Sequence, residues 1–431
     1  MDLDGIRERI AQVSTLLPCG RVESVVGLAV RVSLPSARVG DLIVIHRRGD
    51  PLPAQVVGIA GDEAVAMPLG ELTGVGAGDR VESRGAPLQV CVSDALLGRV
   101  LNGLGEPVDG LAPIGAGVLR DVEAPPPAAL SRRSIERVLP TGVRVIDGLM
   151  TLGEGQRVGL FAGSGVGKST LLGAIARGTA ADVVVVALVG ERGREVNEFI
   201  KTSLGTDALR KSVVVVATSD APALERLAAA HAATAVAEHF RDQGARVMLL
   251  VDSVTRLARA QREIGLAAGE PPARRGYPPS VFAMLPRLLE RSGQADRGSI
   301  TAIYTVLVEG GDMDEPVADE VRGILDGHIV LDRAVASRGR YPAVDVLSSL
   351  SRVMDGIVAE EHRQAAARIR KVIGLVEARR DLIAVGAYVR GSDRELDAAI
   401  SLMPRIEALL GQAPTQQAGF AQTVEMMQAI R

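Results

Sequence analysis

The sequence predicts an α/β core with a small β-barrel before it and a helical region after it. Between residues 20 and 85, short strand-like segments follow one another across glycine-rich turns, which is typical of a small barrel. Residues 353–410 are helical in pattern. In the core, apolar runs alternate with helical stretches, and runs that are apolar throughout predict strands buried on both faces of a mainly parallel sheet. These runs are residues 158–162, 183–190, 212–218, 247–252 and 300–308.

The elements can be placed in order along the chain. An N-terminal amphipathic helix is expected because apolar residues recur at helical spacing from Leu3 to Leu17. It either packs on its own domain or docks on a partner, and the spacing fits both alternatives. The barrel should contain a hairpin at Gly61-Asp62, and the proline-rich segment 124–127 should be a linker or a rigid approach to the next unit. We therefore divide the chain into an arm, a barrel, an α/β domain and a helical domain, at residues 1–19, 20–85, 86–350 and 351–431.

The composition excludes several classes of protein. The chain has 431 residues and a net charge of −3, so no basic excess favours nucleic acid as a partner. Only 2% of the residues are aromatic, and none lies before Phe161, which leaves the N-terminal part without a base-stacking surface. The two cysteines show no metal or redox spacing, and no apolar run approaches the roughly 20 residues of a membrane span. Since the N-terminus does not resemble a secretory signal, we expect a cytoplasmic protein.

A phosphate-binding loop is predicted where AGSGVGKST follows an apolar strand and opens a helical pattern. Small residues let backbone N–H groups wrap the phosphates, and the helix N-terminus adds a partial positive charge. In this pattern Lys168 reaches the β- and γ-phosphates, and the Ser169 hydroxyl binds Mg²⁺. Ala162 takes the place of the usual first glycine. The predicted nucleotide-binding residues are Ala162, Gly163, Ser164, Gly165, Val166, Gly167, Lys168, Ser169 and Thr170.

Two acidic residues end predicted strands near this loop. Asp252 ends the run VMLLV, where a carboxylate would complete the Mg²⁺ shell. A helix N-cap fits the same position, and the phosphate loop makes us favour the metal. Glu191 directly follows another strand and is the best candidate to orient or activate water, although a solvated glutamate in a charged turn fits equally well. These features predict nucleotide binding and leave the reaction open.

Longer segments occur in an order that resembles a known family. They are FAGSGVGKST, VGERGREVNEF, VDSVTR, REIGLAAGEPPARRGYPPSVFAMLPRLLERSG, ILDGHIVLDRAVASRGRYPAVDV and SSLSR. Together they resemble the type III secretion ATPases of flagella and injectisomes, which are similar in turn to the catalytic subunits of rotary ATP synthases. The resemblance covers residues 20–431 and is densest over 140–355. It implies a RecA-like core that hydrolyses ATP with Mg²⁺ and powers protein export.

The resemblance also implies roles for five residues. Glu191 matches the glutamate that polarises the attacking water, and Arg192 matches a neighbouring phosphate-side arginine. Arg256 matches another arginine near the γ-phosphate. Tyr341 matches the aromatic residue that packs against adenine, although taken alone it would be interpreted as a core tyrosine. Arg352 matches the arginine finger supplied to the neighbouring subunit, although taken alone it would be interpreted as a surface charge.

One chain thus carries both the water-activating Glu191 and the finger Arg352. Copies of this chain could build every active site by themselves, which favours a homo-hexameric ring with head-to-tail contacts. The resemblance implies further partners: the stator and central-stalk proteins of the apparatus, chaperone–substrate complexes and the export gate at the inner membrane face. It places the ring in the cytoplasm, peripheral to the inner membrane, where it would couple hydrolysis to chaperone release, unfolding and export of substrates.

The resemblance also bears on two loops. The family places residues 265–280 near the pore of the ring, where a rigid loop between subunits and a loop that threads substrate are equal alternatives. Family members often have two acidic residues after the glycine of VEG, whereas this chain has Gly311 in the first of those places. We therefore expect a more flexible loop there.

Other functions are weaker alternatives. A rotary synthase catalytic subunit is disfavoured because the finger arginine lies in the same chain, and an RNA translocase because the first 160 residues contain no aromatic side chain. An inactive ring subunit is disfavoured because Lys168, Glu191 and Asp252 are all present. The segments VATSDAPALERL and AEHFRDQGARVMLLVDSVTR favour an injectisome over a flagellar system.

Overall fold

The computed structural model describes residues 18–430. The predicted N-terminal arm, residues 1–19, lies outside the described residues except for its last two positions. Within the described range, no helix combines the length and the apolar character that a membrane crossing requires.

The predicted barrel is confirmed. Six of the described strands close on themselves in the order β1-β2-β5-β4-β3-β6. Side chains alternate between its interior and the solvent, and Val30, Ile43 and Val81 are fully buried in the interior. Gly61 adopts a φ of +64° in the expected hairpin between the fourth and fifth strands. The strands are β1 (Cys19–Val26), β2 (Ala29–Ser33), β3 (Leu42–His46), β4 (Leu52–Ala60), β5 (Glu63–Pro68) and β6 (Arg80–Ser83).

A connector that the sequence did not predict joins the barrel to the core. It contains a two-stranded antiparallel ribbon formed by β7 (Gln89–Val92) and β9 (Val118–Asp121). Between them, β8 (Val100–Asn102) adds to the edge of the central sheet beside β12 (Ser212–Thr218). These strands are three or four residues long, too short to give a pattern in the sequence.

The core is the predicted, mainly parallel sheet. Among the described residues it has nine strands, with β14 beside β15 and the others in the order β17-β16-β10-β15-β13-β11-β12-β8. The five predicted strands are all present as parallel strands, whereas β14 and the edge strand β17 run antiparallel. The remaining strands are β10 (Arg157–Ala162), β11 (Val183–Glu191), β13 (Arg246–Asp252), β14 (Gly293–Gln294), β15 (Ser299–Leu307), β16 (Gly327–Leu331) and β17 (Val344–Ser351).

Helices cover both faces of this sheet, which explains why its strands are apolar throughout. Along β11, Val183 and Val185 face one hydrophobic cluster, while Val184 and Val186 face the other. The helices of this domain are α1 (Arg144–Leu149), α2 (Lys168–Gly178), α3 (Gly193–Glu198), α4 (Gly205–Leu209), α5 (Ala223–Asp242), α6 (Val254–Ala267), α7 (Pro279–Leu289), α8 (Pro316–Ile324) and α9 (Arg333–Ser337), with a π-helical turn at Phe199–Leu204 between α3 and α4.

The C-terminal part is helical, as predicted. Ile369 and Ile406 are buried in the hydrophobic cluster on one face of the sheet, to which residues of α1 and α2 also belong. The helices are α10 (Met354–Ile357), α11 (Glu360–Glu377), α12 (Arg380–Ala384), α13 (Arg394–Leu410) and α14 (Phe420–Gln428). The domain boundaries given above stay predictions.

A buried ion pair in the core also anchors the connector, because its arginine donates a hydrogen bond to the connector backbone. The side chains of Arg291 and Glu238 are only 1% and 6% exposed. Two parallel hydrogen bonds of 2.9 and 2.8 Å join them, and Arg291 donates a third, of 2.7 Å, to the carbonyl of Val122, just beyond β9. Such a pair tolerates burial because each charge has partners.

We expect Arg291→Met to lower the free energy of unfolding by about 3–5 kcal/mol, because it leaves Glu238 buried without a counter-charge. The double variant Arg291→Met/Glu238→Leu removes both charges, and we expect it to regain most of the loss. Denaturant unfolding followed by circular dichroism measures both changes. A double variant that stays as unstable as the single one would contradict this explanation and assign the loss to the Val122 contact.

Candidate nucleotide-binding and catalytic site

The phosphate loop lies where the sequence predicts it. Strand β10 ends at Ala162, the loop spans residues 163–167, and α2 begins at Lys168. Gly165 and Gly167 have φ values of +79° and +90°, a backbone conformation that glycine adopts without strain. The loop therefore turns tightly, and α2 presents its N-terminus to the space that phosphates would fill.

The predicted acidic residues converge on Lys168. Its ammonium group donates a hydrogen bond to Oδ1 of Asp252, and Oε1 of Glu191 lies 3.5 Å from the same nitrogen. Asp252 ends β13 and Glu191 ends β11, and the carboxyl ends of parallel strands meet at one edge of the sheet. Parallel topology thus explains how residues distant in sequence come together.

Asp252 occupies a position suited to a metal ligand. Its side chain is 2% exposed and accepts a 2.7 Å hydrogen bond from the hydroxyl of Thr305. The alternative role of helix N-cap belongs to the next residue, because Ser253 precedes α6 and its hydroxyl accepts from the backbone N–H of Arg256. The Asp252 carboxylate is therefore available to the site.

Glu191 is a buried residue and not a solvated one, with a side chain 8% exposed. Arg256 holds its carboxylate from the other side: Nε lies 3.2 Å from Oε1 and Nη2 lies 3.3 Å from Oε2. Arg256 is itself fixed by a 2.6 Å hydrogen bond to the carbonyl of Gly190. Burial raises the pKa of Glu191 to about 7, the Asp252 charge acts in the same direction, and Lys168 opposes both. A carboxyl with this pKa can change its protonation state near neutral pH.

Tyr341 lines a cavity beside the phosphate loop. The cavity measures about 260 Å³ and lies between α2 and the segment that leads from α13 to α14. Tyr341 is 45% exposed, and its nearest ring carbon lies 3.8 Å from where a Cβ of Gly167 would stand. It is therefore not a core tyrosine. The cavity is also lined by Val143, Thr170, Leu171, Ala174, Pro342, Gln412, Ala413, Pro414 and Gln416.

Comparison with known proteins identifies the chain. The ATP synthase alpha/beta family, nucleotide-binding domain, matches residues 142–351, and the T3SS EscN ATPase C-terminal domain matches residues 358–429. The type 3 secretion system ATPase of Xanthomonas euvesicatoria is 52% identical over 95% of this chain and 93% of its own length. This chain belongs to the type III secretion ATPase family. Its resemblance to that family and its ATPase activity, both expected from the sequence motifs, are thereby confirmed.

Other relatives of this ATPase come from both branches of the family. The flagellum-specific ATP synthase of Bacillus subtilis is 51% identical over 95% of this chain and 94% of its own length. The structure of the assembled ATPase EscN from enteropathogenic E. coli matches with a TM-score of 0.91 at 46% identity, over 95% of this chain and 99% of that one. EscN in complex with its central stalk EscO matches with a TM-score of 0.88 at 46% identity, with the same coverage. Because injectisome and flagellar relatives are equally similar, the preference for an injectisome stays a prediction.

Two predicted site residues of this ATPase do not join the cluster around Lys168. The side chain of Arg192 is 77% exposed and pairs with Glu195 at 3.2 Å. Arg352 follows β17, whose residue Ser351 pairs with Gly327 at the amino end of β16, whereas Leu331 at the carboxyl end is level with Ala162. The four residue steps from Gly327 to Leu331 place Arg352 about 13 Å along the strand direction from the start of its own phosphate loop. Arg352 thus lies at the opposite edge of the sheet.

Three residues at the site were missed by sequence reasoning. Thr305 is a polar position inside a predicted apolar strand, and that polarity is the signal that could have identified it. Glu195 lies one helical turn beyond Glu191, and a hydrogen bond with Glu191 lowers the pKa of Glu195. Arg333 lies 3.4 Å from the carbonyl oxygen of Ser164 at the tip of the phosphate loop, a contact with no signal in the sequence.

The residues present fit Mg²⁺. This ion usually keeps several waters and is bound through one or two carboxylates together with substrate phosphates. Asp252 supplies a buried carboxylate, and Ser169 supplies an exposed hydroxyl on the first turn of α2. Across residues 18–430, no group of three or more His, Cys, Asp or Glu residues is arranged to hold a metal ion.

The loop around Gly311 is tied down at both ends. Gly311 has a φ of +80°, which a glycine accommodates. Arg259 contacts Glu309 at 3.2 Å, and Arg275 contacts Asp312 at 3.0 Å. The ion pair between Arg275 and Asp312 joins this loop to the 265–280 segment. Their roles in an assembled ring stay predictions.

Proposed function

We propose that this ATPase is the Mg-ATP hydrolase of a type III protein secretion apparatus and that it works as a homo-hexameric ring. The observation that carries the proposal is the separation of Glu191 from Arg352. Glu191 lies in the cluster at the phosphate loop, whereas Arg352 lies at the opposite edge of the same sheet. An arginine finger at the position of Arg352 could reach the active site of a neighbouring copy. A head-to-tail ring of copies would supply one such arginine to every active site.

In the proposed mechanism, the phosphate loop and Lys168 bind the β- and γ-phosphates of ATP. Ser169 and Asp252 would hold Mg²⁺, which neutralises charge on the phosphates when it is bound. With Mg-ATP bound, Lys168 would pair with the phosphates and Asp252 with the metal, so their present contact with each other would be replaced. Lys168 then faces the phosphates as a compact positive charge.

Glu191 would orient and polarise the attacking water. Arg256 holds its carboxylate in place through the two contacts described above, and the finger Arg352 of the neighbouring copy would stabilise the charge that develops on the γ-phosphate. Arg192 is proposed to approach the phosphates from the surface, which requires it to leave Glu195.

The pKa of Glu191 predicts the pH dependence of catalysis. A base must be ionised, and this carboxyl has a pKa of about 7 in the free protein. We therefore expect kcat/KM for ATP to rise between about pH 6 and pH 8 and then to level off, since kcat/KM reports the free enzyme. Steady-state assays in buffers of constant ionic strength measure the profile. A flat profile below pH 7 would remove Glu191 as the titrating base.

We propose that the cavity beside Tyr341 binds the adenine ring. Stacking on an aromatic side chain contributes about 1–3 kcal/mol per base, so Tyr341→Ala should raise the KM for ATP about tenfold. Tyr341→Phe keeps the ring and should stay near wild type. Parallel measurement of KM and of equilibrium ATP binding tests this. An unchanged KM in the alanine variant would place the base elsewhere.

The proposed partners follow from the family. EscN forms a complex with its central stalk EscO, and we propose that the helical domain of this chain meets a corresponding stalk. Leu382, Val385 and Val389 are 50–76% exposed near the turn between α11 and α13, which suits contact with an apolar helix. We further propose contacts with stator proteins, chaperone–substrate complexes and the export gate, and a position in the cytoplasm at the inner membrane. Nucleic acid is not among the proposed partners.

The export role has its own test. Affinity purification of the tagged chain from its native cells, followed by identification of the bound proteins, should recover stalk and stator components. Injectisome components are expected, since we propose that system over the flagellar one. Recovery of flagellar components alone would support the flagellar alternative, and stimulation of the ATPase by RNA would point to an RNA translocase instead.

A further inference from the structure

We propose that Gln416 pairs with the polar edge of the purine base and that its amide lets the site accept either adenine or guanine. This inference rests on the proposal that the cavity beside Tyr341 holds the base. Its starting point is the composition of the cavity walls. Leu171, Ala174, Pro342 and Pro414 present apolar atoms, which can cover the faces of a base but cannot pair with its donors and acceptors.

The Gln412 amide cannot serve the base, because its polar atoms are already used. Its Oε1 accepts a 2.8 Å hydrogen bond from the backbone N–H of Arg144. Its Nε2 donates to the carbonyls of Gly142 and Gln416, each at 2.8 Å. The side chain is buried, and Arg144 further fixes this region by donating a 2.9 Å bond to the carbonyl of Leu409 at the end of α13. Gln412 is therefore a positioning residue.

What Gln412 positions is Gln416. The Gln416 carbonyl receives the hydrogen bond from Gln412, and its N–H donates a 3.0 Å bond to the carbonyl of Ala413. The backbone of Gln416 is thus held at the cavity wall by both of its polar groups. Its side-chain amide makes no hydrogen bond with any residue in the described range 18–430, although Gln416 lines the cavity. The side-chain amide of Gln416 is therefore available to a ligand, while its backbone is held in place by hydrogen bonds.

The other polar side chains at the cavity suit different parts of the nucleotide. Thr170 follows Ser169 on the first turn of α2, so its hydroxyl belongs to the phosphate end. Tyr341 offers a ring face for stacking. Gln416 lies on the segment that faces α2 across the cavity, and among the polar side chains it is left to meet the edge of the base.

An amide carries a donor and an acceptor side by side. Adenine presents the N6 amino donor next to the N1 acceptor, and guanine presents the O6 acceptor next to the N1–H donor. A rotated amide pairs with either arrangement, and no described contact fixes the rotation of Gln416. We therefore expect this ATPase to use ATP and GTP with similar kcat/KM.

Gln416→Glu tests the assignment. A carboxylate only accepts hydrogen bonds, which suits the adjacent N1–H and N2 amino donors of guanine and repels the N1 acceptor of adenine. We expect the ratio of kcat/KM for GTP to that for ATP to rise about tenfold, since hydrogen bonds to charged groups are the stronger kind. Gln416→Ala should instead raise KM for both nucleotides, by about threefold to tenfold.

Gln417→Glu is the matched control. Gln417 is exposed and does not line the cavity. The variant Gln417→Glu therefore introduces the same charge one residue away from the proposed contact. A GTP/ATP ratio that changes equally in both glutamate variants, or in neither, would overturn the proposal. If Gln416→Glu fails to fold, an unchanged KM in Gln416→Ala would overturn it as well. The proposed base site is tested separately by Tyr341→Ala: an effect there without one at Gln416 rejects only the role of Gln416.

Discussion

Arg352→Ala is expected to reduce the ATPase activity of the assembled protein by about 10³–10⁵-fold, which is the range for loss of an arginine finger. The reason is geometric: Arg352 lies at the sheet edge opposite its own phosphate loop, so its charge is available to a neighbour. ATP binding by a single subunit should change little. Steady-state hydrolysis together with nucleotide binding to dilute protein separates the two effects.

Mixing two inactive variants gives the sharpest form of this test. Arg352→Ala subunits keep Glu191, and Glu191→Gln subunits keep the finger. In a randomly mixed ring, roughly a quarter of the interfaces join an intact Glu191 to an intact Arg352, so activity should return. If both residues served the same subunit, no mixed site would be complete and no activity would return. Arg210→Ala is a matched control, because Arg210 is 83% exposed and lies outside the site.

Glu191→Gln is expected to lower turnover by about 10²–10⁴-fold, the usual contribution of a general base. The amide keeps the shape of the side chain but cannot accept a proton. Burial of Glu191 and its two contacts with Arg256 indicate that the new amide would stay in place. ATP binding should therefore survive, and single-turnover assays should show bound ATP that is not hydrolysed.

Glu198→Gln is the matched control for that experiment. Glu198 is exposed at the end of α3 and makes the same chemical change possible outside the cluster. We expect it to keep the activity of the wild type. A Glu191→Gln variant that hydrolyses ATP as fast as this control would show that another group activates the water.

The residues at the ends of the central strands were the part of the site that the sequence predicted best. Apolar runs located β11 and β13, and the polar residue that ends each run, Glu191 or Asp252, falls at the same edge of a parallel sheet. The phosphate loop could also be predicted, because all of its motif lies in nine consecutive residues.

Other parts depended on contacts that a linear pattern does not contain. Strand β17 is an edge strand with exposed Leu347 and Leu350, so it lacks the continuous apolar run by which the central strands were found. The wall of the cavity depends on Gln412 meeting Arg144, which are 268 positions apart. Such a distant pairing is set by packing of the helical domain on the core, and nothing in the local sequence encodes it.

The position of this cavity has a consequence for how the molecule unfolds. One wall belongs to α2 of the core, and the other is the segment between α13 and α14, which Arg177 also holds by a 2.5 Å hydrogen bond to the carbonyl of Pro414. A nucleotide in the proposed base site would oppose the separation of these walls, by about 2.7 kcal/mol at a hundredfold excess over Kd. The melting temperature should therefore rise with ATP concentration, and because the core and the C-terminal helices share one hydrophobic cluster, both parts should unfold in one transition.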